Sequence, residues 1–374
     1  MNKFDFIIVG AGFAGATCAR LLTNKNYKCL ILEQRPFVSG NCVTEIRDNI
    51  VIHHFGAHII HTNDYEVWEF LNDFGRINPV RIQPKIFNNG QIYSYPHSLQ
   101  TLHEIYDDIW PNDLLLSLEN DLVKFNKITN VKEYCLANYG KSLYELIYKN
   151  YYLKLFETES NNLDLDNLIQ SYSKIETYQK FLYDDEYQGI PEQGYTKLVE
   201  NIIGDDIPIM LNTDFLANKE KWLNLADNII YTGELDRFFN YCIGALDWRS
   251  AYFDLDDMSE KTSNVSGTPI TIFTDEGTKW YQTTEHKWLN PNRESESTYI
   301  SYEYSIPWQI GTETCWPILN EKSKNLYSRY SKKLAEQYPN VLLCGRKPEY
   351  NFASIAEVVR SAFDLCNVFE FKEQ

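Results

Sequence analysis

Positive charge is in short supply. Lysine and arginine number 35 against 52 aspartates and glutamates, so the 374 residues carry a net charge of −17. Nucleic acids and anionic membrane surfaces reward clustered Lys and Arg, which argues against both as partners. An anionic substrate would need a local pocket working against the overall field. Arginine is missing altogether between Arg81 and Arg237. No apolar run is long enough to span a bilayer. The eight cysteines are scattered, with no CxxC pair and no small secreted frame, the usage expected of reduced core residues in a cytoplasmic protein. Internal repeats, low-complexity tracts and linkers are absent too. The opening MNKFDFIIVGAG is read as a first strand and not as a signal peptide.

What is present points to a folded, multi-part protein. Hydrophobic residues make up 44% of the chain and aromatic ones 15%, a globular composition, and the length suits two or three domains. The most informative stretch is FDFIIVGAGFAGATCARLLTNKNYKCLILE, residues 4–33. A short apolar run leads into Gly10, Gly12 and Gly15 as GxGxxG. A helical pattern follows, then a second apolar run that ends at Glu33. The first glycine serves a tight turn, the second lets a pyrophosphate approach the backbone, and the third lets the helix pack close to the strand. The helix N-terminus supplies N–H groups and partial positive charge for that pyrophosphate. Glu33 stands where a carboxylate accepts hydrogen bonds from the adenosine ribose. This pattern predicts an ADP-containing dinucleotide.

Further along, residues 49–62 form an extended apolar run holding His53, His54, His58 and His61. Residues 65–73 read as a helix, and residues 82–95 as a hairpin turning at Asn88-Asn89-Gly90. Helical periodicity then dominates to about Lys180, as an insertion outside the sheet. Residues 187–203 and 227–236 return to the nucleotide fold, and residues 245–308 are β-rich. A helix over 319–338, a strand over 340–346 and a helix over 355–369 close the chain. The histidines have no familiar ligand spacing with nearby acids, so no metal is expected, and a Gly-Ala-His turn against the cofactor is the better reading. Gly140-Lys141-Ser142 lacks the upstream strand of a P-loop and reads as a helix-capping turn.

Several motifs together resemble the UDP-galactopyranose mutase family. They are GAGFAGA, VSGN, IHHFGAHIIHT, LYELIYKNYY, YQGIP with GYTKL, YTGELDRFFNYCIGALDWRS, FTD…TEHK, YEYSIP and LLCGRKPEY. Their order covers the chain from about Phe4 to Phe369. The resemblance implies an α/β architecture: a Rossmann-like FAD-binding domain (1–80, 187–236 and 318–374), an inserted helical bundle (98–186) with a mobile loop within 171–185, and an antiparallel sheet domain (81–97 and 237–317). It also implies a homodimer, a nucleotide-sugar substrate and FAD active in its reduced form, with NAD(P)H or another reductant as a transient partner. The implied reaction interconverts pyranose and furanose sugars through a flavin N5–sugar adduct.

Carried onto this chain, the family's cofactor residues fall on Gly10, Gly12, Phe13, Ala14, Gly15, Glu33 and Gln34. They continue through Gly40, Asn41, His58, Ile59, Arg249, Gly345 and Arg346, with His58 and Arg249 nearest the chemistry. Tyr151 and Tyr187 keep substrate-binding tyrosines, Phe156 replaces a tryptophan, and Glu303 matches an acidic site residue. The departures concern the diphosphate. Both of the family's pyrophosphate-binding arginines are missing. One has no counterpart between Arg81 and Arg237, and the other falls on Gln282. Trp316 and Phe352 stand where the family has tyrosines, and Ser354 where it has aspartate. Lys174, Lys180 or Lys279 would have to substitute for a guanidinium, without reproducing its bidentate fork. A changed substrate follows, or a changed use of the flavin. A flavin oxidoreductase and a silent FAD- or nucleotide-sugar-binding homologue are the alternatives.

Overall fold

The computed structural model describes residues 3–106, 110–168, 175, 177–178, 181–290 and 293–372. At its centre a five-stranded parallel sheet runs in the order Ile209–Met210, Cys29–Leu32, Phe4–Val9, Ala226–Tyr231, Val341–Leu343. Strand alternation explains why Phe6–Val9 is apolar throughout, with Asp5 near the strand's start accepting the Lys28 N–H. Phe6 and Ile8 enter one core with Ala16, Cys18, Ala19 and Leu22 of helix Phe13–Asn24 and Val359 and Phe363 of helix Ile355–Asn367. Ile7 points the other way, into a core with Leu326, Tyr330 and Leu334 of helix Glu321–Gln337. A parallel sheet covered on both faces needs such unbroken apolar strands.

The run over 49–62 is not one strand. It breaks into Ile50–His53 and Ile60–Thr62 around a turn in which Gly56 has a φ of +82°. The second piece pairs with Tyr187–Pro191, which also pairs with Ile77–Pro79 in a small three-stranded sheet. The expected hairpin forms between Lys85–Asn88 and Gln91–Ser94, turning through Asn89 and Gly90, both at positive φ.

Helices Leu99–Tyr106, Pro111–Asp121, Val131–Leu143 and Lys149–Phe156 make the inserted region. The Gly140 turn breaks the third of them at a φ of +81°, and the Asp121 carboxylate accepts the Ser142 N–H at 2.6 Å, restarting the helix. One wide, π-type turn over Tyr144–Tyr148 then leads into Lys149–Phe156. A seven-stranded sheet completes the molecule, in the order Trp316–Pro317, Trp248–Asp257, Tyr299–Pro307, Gln282–Glu285, Ile270–Phe273, Lys85–Asn88, Gln91–Ser94. It is antiparallel except where Ile270–Phe273 lies parallel to Lys85–Asn88. Among the described residues no helix is long and apolar enough to cross a membrane.

Candidate active site

A cleft of about 650 Å³ opens along the carboxyl ends of the central parallel strands, the position where open α/β sheets bind ligands. Its floor is the glycine turn. A Cβ on Gly10 would lie 2.1 Å from Thr232 Oγ1, and one on Gly15 would lie 1.9 Å from the Gly10 carbonyl oxygen. Both positions therefore exclude any side chain. Gly12 caps helix Phe13–Asn24 without a side-chain acceptor, and no acid sits in the first turn. Its N–H groups are left for an anion. Glu33 accepts the Ala11 and Arg35 N–H groups, both at 2.8 Å, which holds its carboxylate at the turn.

From Glu33 and Gln34 the wall passes Phe13 and Ala14, then Gly40 and Asn41, and reaches His58, Ile59, Gly345, Arg346 and Phe352. Arg346 Nε is buried there without a hydrogen-bond partner. A side-chain-free cradle, an uncapped helix start and an unsatisfied guanidinium nitrogen together fit a phosphate-bearing dinucleotide. Gly15 packs behind the wall, and Arg249 is not on it. Arg249 is buried near the start of strand Trp248–Asp257 of the seven-stranded sheet. It donates to Ser305 Oγ at 2.8 and 3.0 Å and to Glu157 Oε2 at 3.0 Å, tying that sheet to the end of helix Lys149–Phe156.

The turn that carries His58 is held tightly. His58 Nδ1 donates to the Gly56 carbonyl at 2.8 Å, the His58 N–H reaches His53 Nδ1 at 3.3 Å, and the Tyr195 hydroxyl donates to the His58 carbonyl at 2.7 Å. Burial pushes the His58 imidazole down to about 4 against the pull of the Gly56 carbonyl, so it stays neutral near pH 7. His53 and His286 are buried behind it. Burial drives His53 well down and His286 to about 3. These histidines form a neutral structural core.

Glu303 approaches the same turn from the sheet, its Oε2 lying 3.1 Å from where a Gly56 Cβ would be. It is buried, not on an exposed face, and accepts from Tyr281 Oη (3.0 Å), Gln282 Nε2 (3.1 Å) and Thr284 Oγ1 (2.8 Å). Burial raises its pKa, and these three neutral donors offset that only in part. Tyr151 and Trp316 flank Tyr281, with ring centroids 6.4 and 6.1 Å away. Tyr151, Gln282, Glu303 and Trp316 are thus brought together beside the His58 turn, though none of them is on the cleft lining itself.

Two other expected substrate residues are elsewhere. Phe156 is buried against Tyr152 with rings stacked at 6.0 Å, so it offers no open face. Tyr187 stacks on Trp68 at 5.5 Å, outside the cleft lining. Lys279 is exposed. Lys174 and Lys180 lie outside the described residues, as does much of the stretch expected to carry a mobile loop.

The sequence reading missed a charged cluster on the cleft. Lys347 pairs with Glu313 and, at 3.3 Å, with Glu234; Arg35 reaches Glu313 at 2.5 Å and Asn41 at 2.9 Å. Burial pushes the Glu234 carboxyl up, but Lys347, the Thr314 hydroxyl and Arg237 outweigh it and hold it at about 2. The only sequence signal was the position of Lys347 directly after the Gly-Arg pair; nothing marked Glu313. His61 and Tyr183 were missed as well, and both line the cleft.

Comparison with known proteins places this geometry. A family model described as UDP-galactopyranose mutase matches residues 146–352, more than half of the chain, and a model of NAD(P)-binding Rossmann-like domains matches residues 8–74. A dTDP-fucopyranose mutase of Escherichia coli is 27% identical over 389 residues, covering 99% of this chain and 98% of that protein. A UDP-galactopyranose mutase of Mycoplasma genitalium is 26% identical over 385 residues, covering 96% and 93%. A crystal structure of reduced UDP-galactopyranose mutase shares the fold with a TM-score of 0.77 at 11% identity, covering 98% of this chain and 94% of that one. The chain belongs to the UDP-galactopyranose mutase family.

Proposed function

We propose that this protein is a flavin-dependent mutase that interconverts the pyranose and furanose forms of a sugar carried on a nucleoside diphosphate. The observation that carries the reading is one cleft that joins a dinucleotide cradle to the His58 turn, in a chain of this family. When bound and reduced, FAD supplies a nucleophile for the anomeric carbon, and a reductant such as NAD(P)H keeps it in that state. The chain's own groups bind, orient and exclude water. The N-terminus of helix Phe13–Asn24 and Arg346 would hold the cofactor's phosphates, and Glu33 would accept from its ribose. Neutral His58 supports the ring without adding charge. Half-buried Tyr151 and Trp316 would give the sugar nucleotide an aromatic wall near Glu303, whose raised pKa lessens its repulsion of an anionic leaving group.

Gln282 supports a substrate other than UDP-galactose. A neutral amide replaces a bidentate cation beside the expected diphosphate, and one full-length relative is named for a dTDP-fucose substrate. The test is direct. Protein reconstituted with FAD and reduced with dithionite is incubated with a panel of UDP- and dTDP-hexopyranoses, and the products are separated by chromatography. A furanose product from at least one donor is expected. A protein that cannot be loaded with FAD, or that turns over none of the panel, rejects the reading.

A further inference from the structure

His61 and Asp185 form a pair that the proposed chemistry has not used. His61 Nδ1 lies 2.7 Å from Asp185 Oδ2. Its ring stacks on Tyr183 with centroids 3.6 Å apart and planes 7° apart. The carboxylate is itself fixed, since Asp185 Oδ1 accepts Asn63 Nδ2 at 2.9 Å. Gln188 Nε2 donates to the Tyr183 and Asp185 carbonyls at 3.1 and 2.6 Å, clamping the turn to strand Tyr187–Pro191. Both His61 and Tyr183 line the cleft.

A carboxylate on Nδ1 does two things to an imidazole. It fixes the ring's orientation and tautomer, and it stabilises the charged form when the other nitrogen takes a proton. With Nδ1–H committed to Asp185, Nε2 is the working nitrogen. The other cleft histidine cannot take this part. His58 has only the Gly56 carbonyl on its Nδ1 and is surrounded by apolar groups and Arg346. Two imidazoles three residues apart thus meet different partners at Nδ1, a backbone carbonyl for His58 and a carboxylate for His61.

We propose that the His61–Asp185 dyad is the proton carrier for exchange of the sugar ring oxygen. This rests on the mutase reading above. Converting a pyranose to a furanose breaks the bond from C1 to the oxygen on C5 and makes one from C1 to the oxygen on C4. The cycle starts with both ring nitrogens of His61 protonated and Nδ1–H on Asp185. The electron pair of the breaking bond leaves with the C5 oxygen, which takes the Nε2 proton. The hydroxyl on C4 then gives an electron pair to C1 and its proton to Nε2. His61 returns to its starting form, and nothing is oxidised or reduced overall. A single rigid imidazole serves both directions, as a reversible isomerisation requires.

The experiment compares wild type, His61→Ala, His61→Gln and Asp185→Asn, each loaded with FAD and reduced, on whichever donor of the panel the wild type turns over. Loss of the positioned acid–base group is expected to lower kcat by about 10²- to 10⁴-fold in both His61 variants. KM and bound FAD should stay within about twofold, Asp185→Asn should fall between, and added imidazole should restore part of the His61→Ala rate. An independent readout uses cofactor-free wild type labelled with ¹⁵N-histidine, in which the His61 Nδ1 signal should be that of a protonated nitrogen in a strong hydrogen bond. A His61→Gln variant with full kcat, or an Nδ1 without its proton, overturns the dyad. A lowered melting temperature with unchanged kcat also overturns it, leaving a purely structural tie. A wild type without turnover on any donor instead overturns the mutase reading and the ring-exchange role with it, while the nitrogen signal still reports separately on the pair.

Discussion

At the scale of a residue, the most consequential position is Gln282. Its amide donates to Glu303, whose carboxylate has only neutral donors and a raised pKa. Replacing it with arginine puts a fixed cation beside that carboxylate and offers a fork to a diphosphate. Gln282→Arg is therefore expected to lower the Glu303 pKa and to tighten UDP binding about tenfold, worth roughly 1.4 kcal/mol. Titration calorimetry with UDP checks this, and unchanged affinity would mean that the diphosphate sits away from this strand. Residues of this kind were legible wherever a motif fixed their spacing. Gly10, Glu33, His58 and Arg346 all line one cleft. Residues defined by a partner far along the chain were not. Phe156 reads as an aromatic face in sequence, but Tyr152 on its own helix covers it. His61 gains meaning only through Asp185, 124 residues away.

At the scale of elements, strands and helices with a clear apolar period were readable, because burial on one or both faces dictates that period. The breaks were harder. The run over 49–62 keeps an unbroken apolar pattern across the Gly56 turn, since Ile59 and Ile60 are buried again on its far side. The parallel pairing of Ile270–Phe273 with Lys85–Asn88 joins strands about 185 residues apart, which no local pattern reports. The loop between Pro307 and Trp316 is another such case. It leaves the seven-stranded sheet and reaches the cofactor cleft, where Glu313 binds Arg35 and Lys347 and Thr314 donates to Glu234 at 2.6 Å. Arg35 and Lys347 come from separate segments, so Glu313 clasps the loop over the cleft. Burial opposes the charge of Glu313, yet Lys347 and Arg35 hold its carboxyl below the usual range. Glu313→Gln leaves two cations short of an acceptor, and at its 27% exposure the expected loss is about 2 kcal/mol, between that of exposed and fully buried pairs. Under the proposed flavin function, FAD should dissociate several-fold faster than from the wild type, by a ratio that shrinks at high salt, where the wild-type ion pairs are screened, as followed by recovery of flavin fluorescence after dilution.

For the whole molecule, the buried histidines set how stability depends on pH. His53, His58 and His286 are neutral in the fold and prefer to stay so, with burial the dominant cause in each. In the unfolded chain each takes a proton near pH 6.5. The unfolded state then binds more protons than the folded one, so stability falls as pH is lowered. The three imidazoles contribute their full stability above about pH 6.5 and lose it progressively as pH falls toward 4, the value of His58, by up to about 1.4 kcal/mol per unit for each. Glu234, held at about 2, adds a loss of the same sign below its ordinary value near 4.5. Asp236 works the other way. Burial raises its carboxyl to about 6 despite the Leu246 and Arg237 N–H groups, so below pH 6 the folded state gains a proton there before the unfolded chain does. Glu303, which burial also raises, acts in the same sense as Asp236, so two carboxyls oppose three histidines across that window, and the histidines prevail. Urea midpoints are expected to be flat from pH 7 to 8 and to drop steeply from pH 6.5 to 5, well before ordinary carboxylates titrate. The protonation of His286 is the part most open to isolation: its Nε2 meets Ser301 Oγ at 2.5 Å and its Nδ1 takes the His53 N–H at 3.3 Å. His286→Gln keeps a donor and an acceptor without the titration, so it should shallow the slope between pH 6.5 and 5 by about one proton while costing stability at pH 7.5. An unchanged slope would place the acid sensitivity outside this cluster.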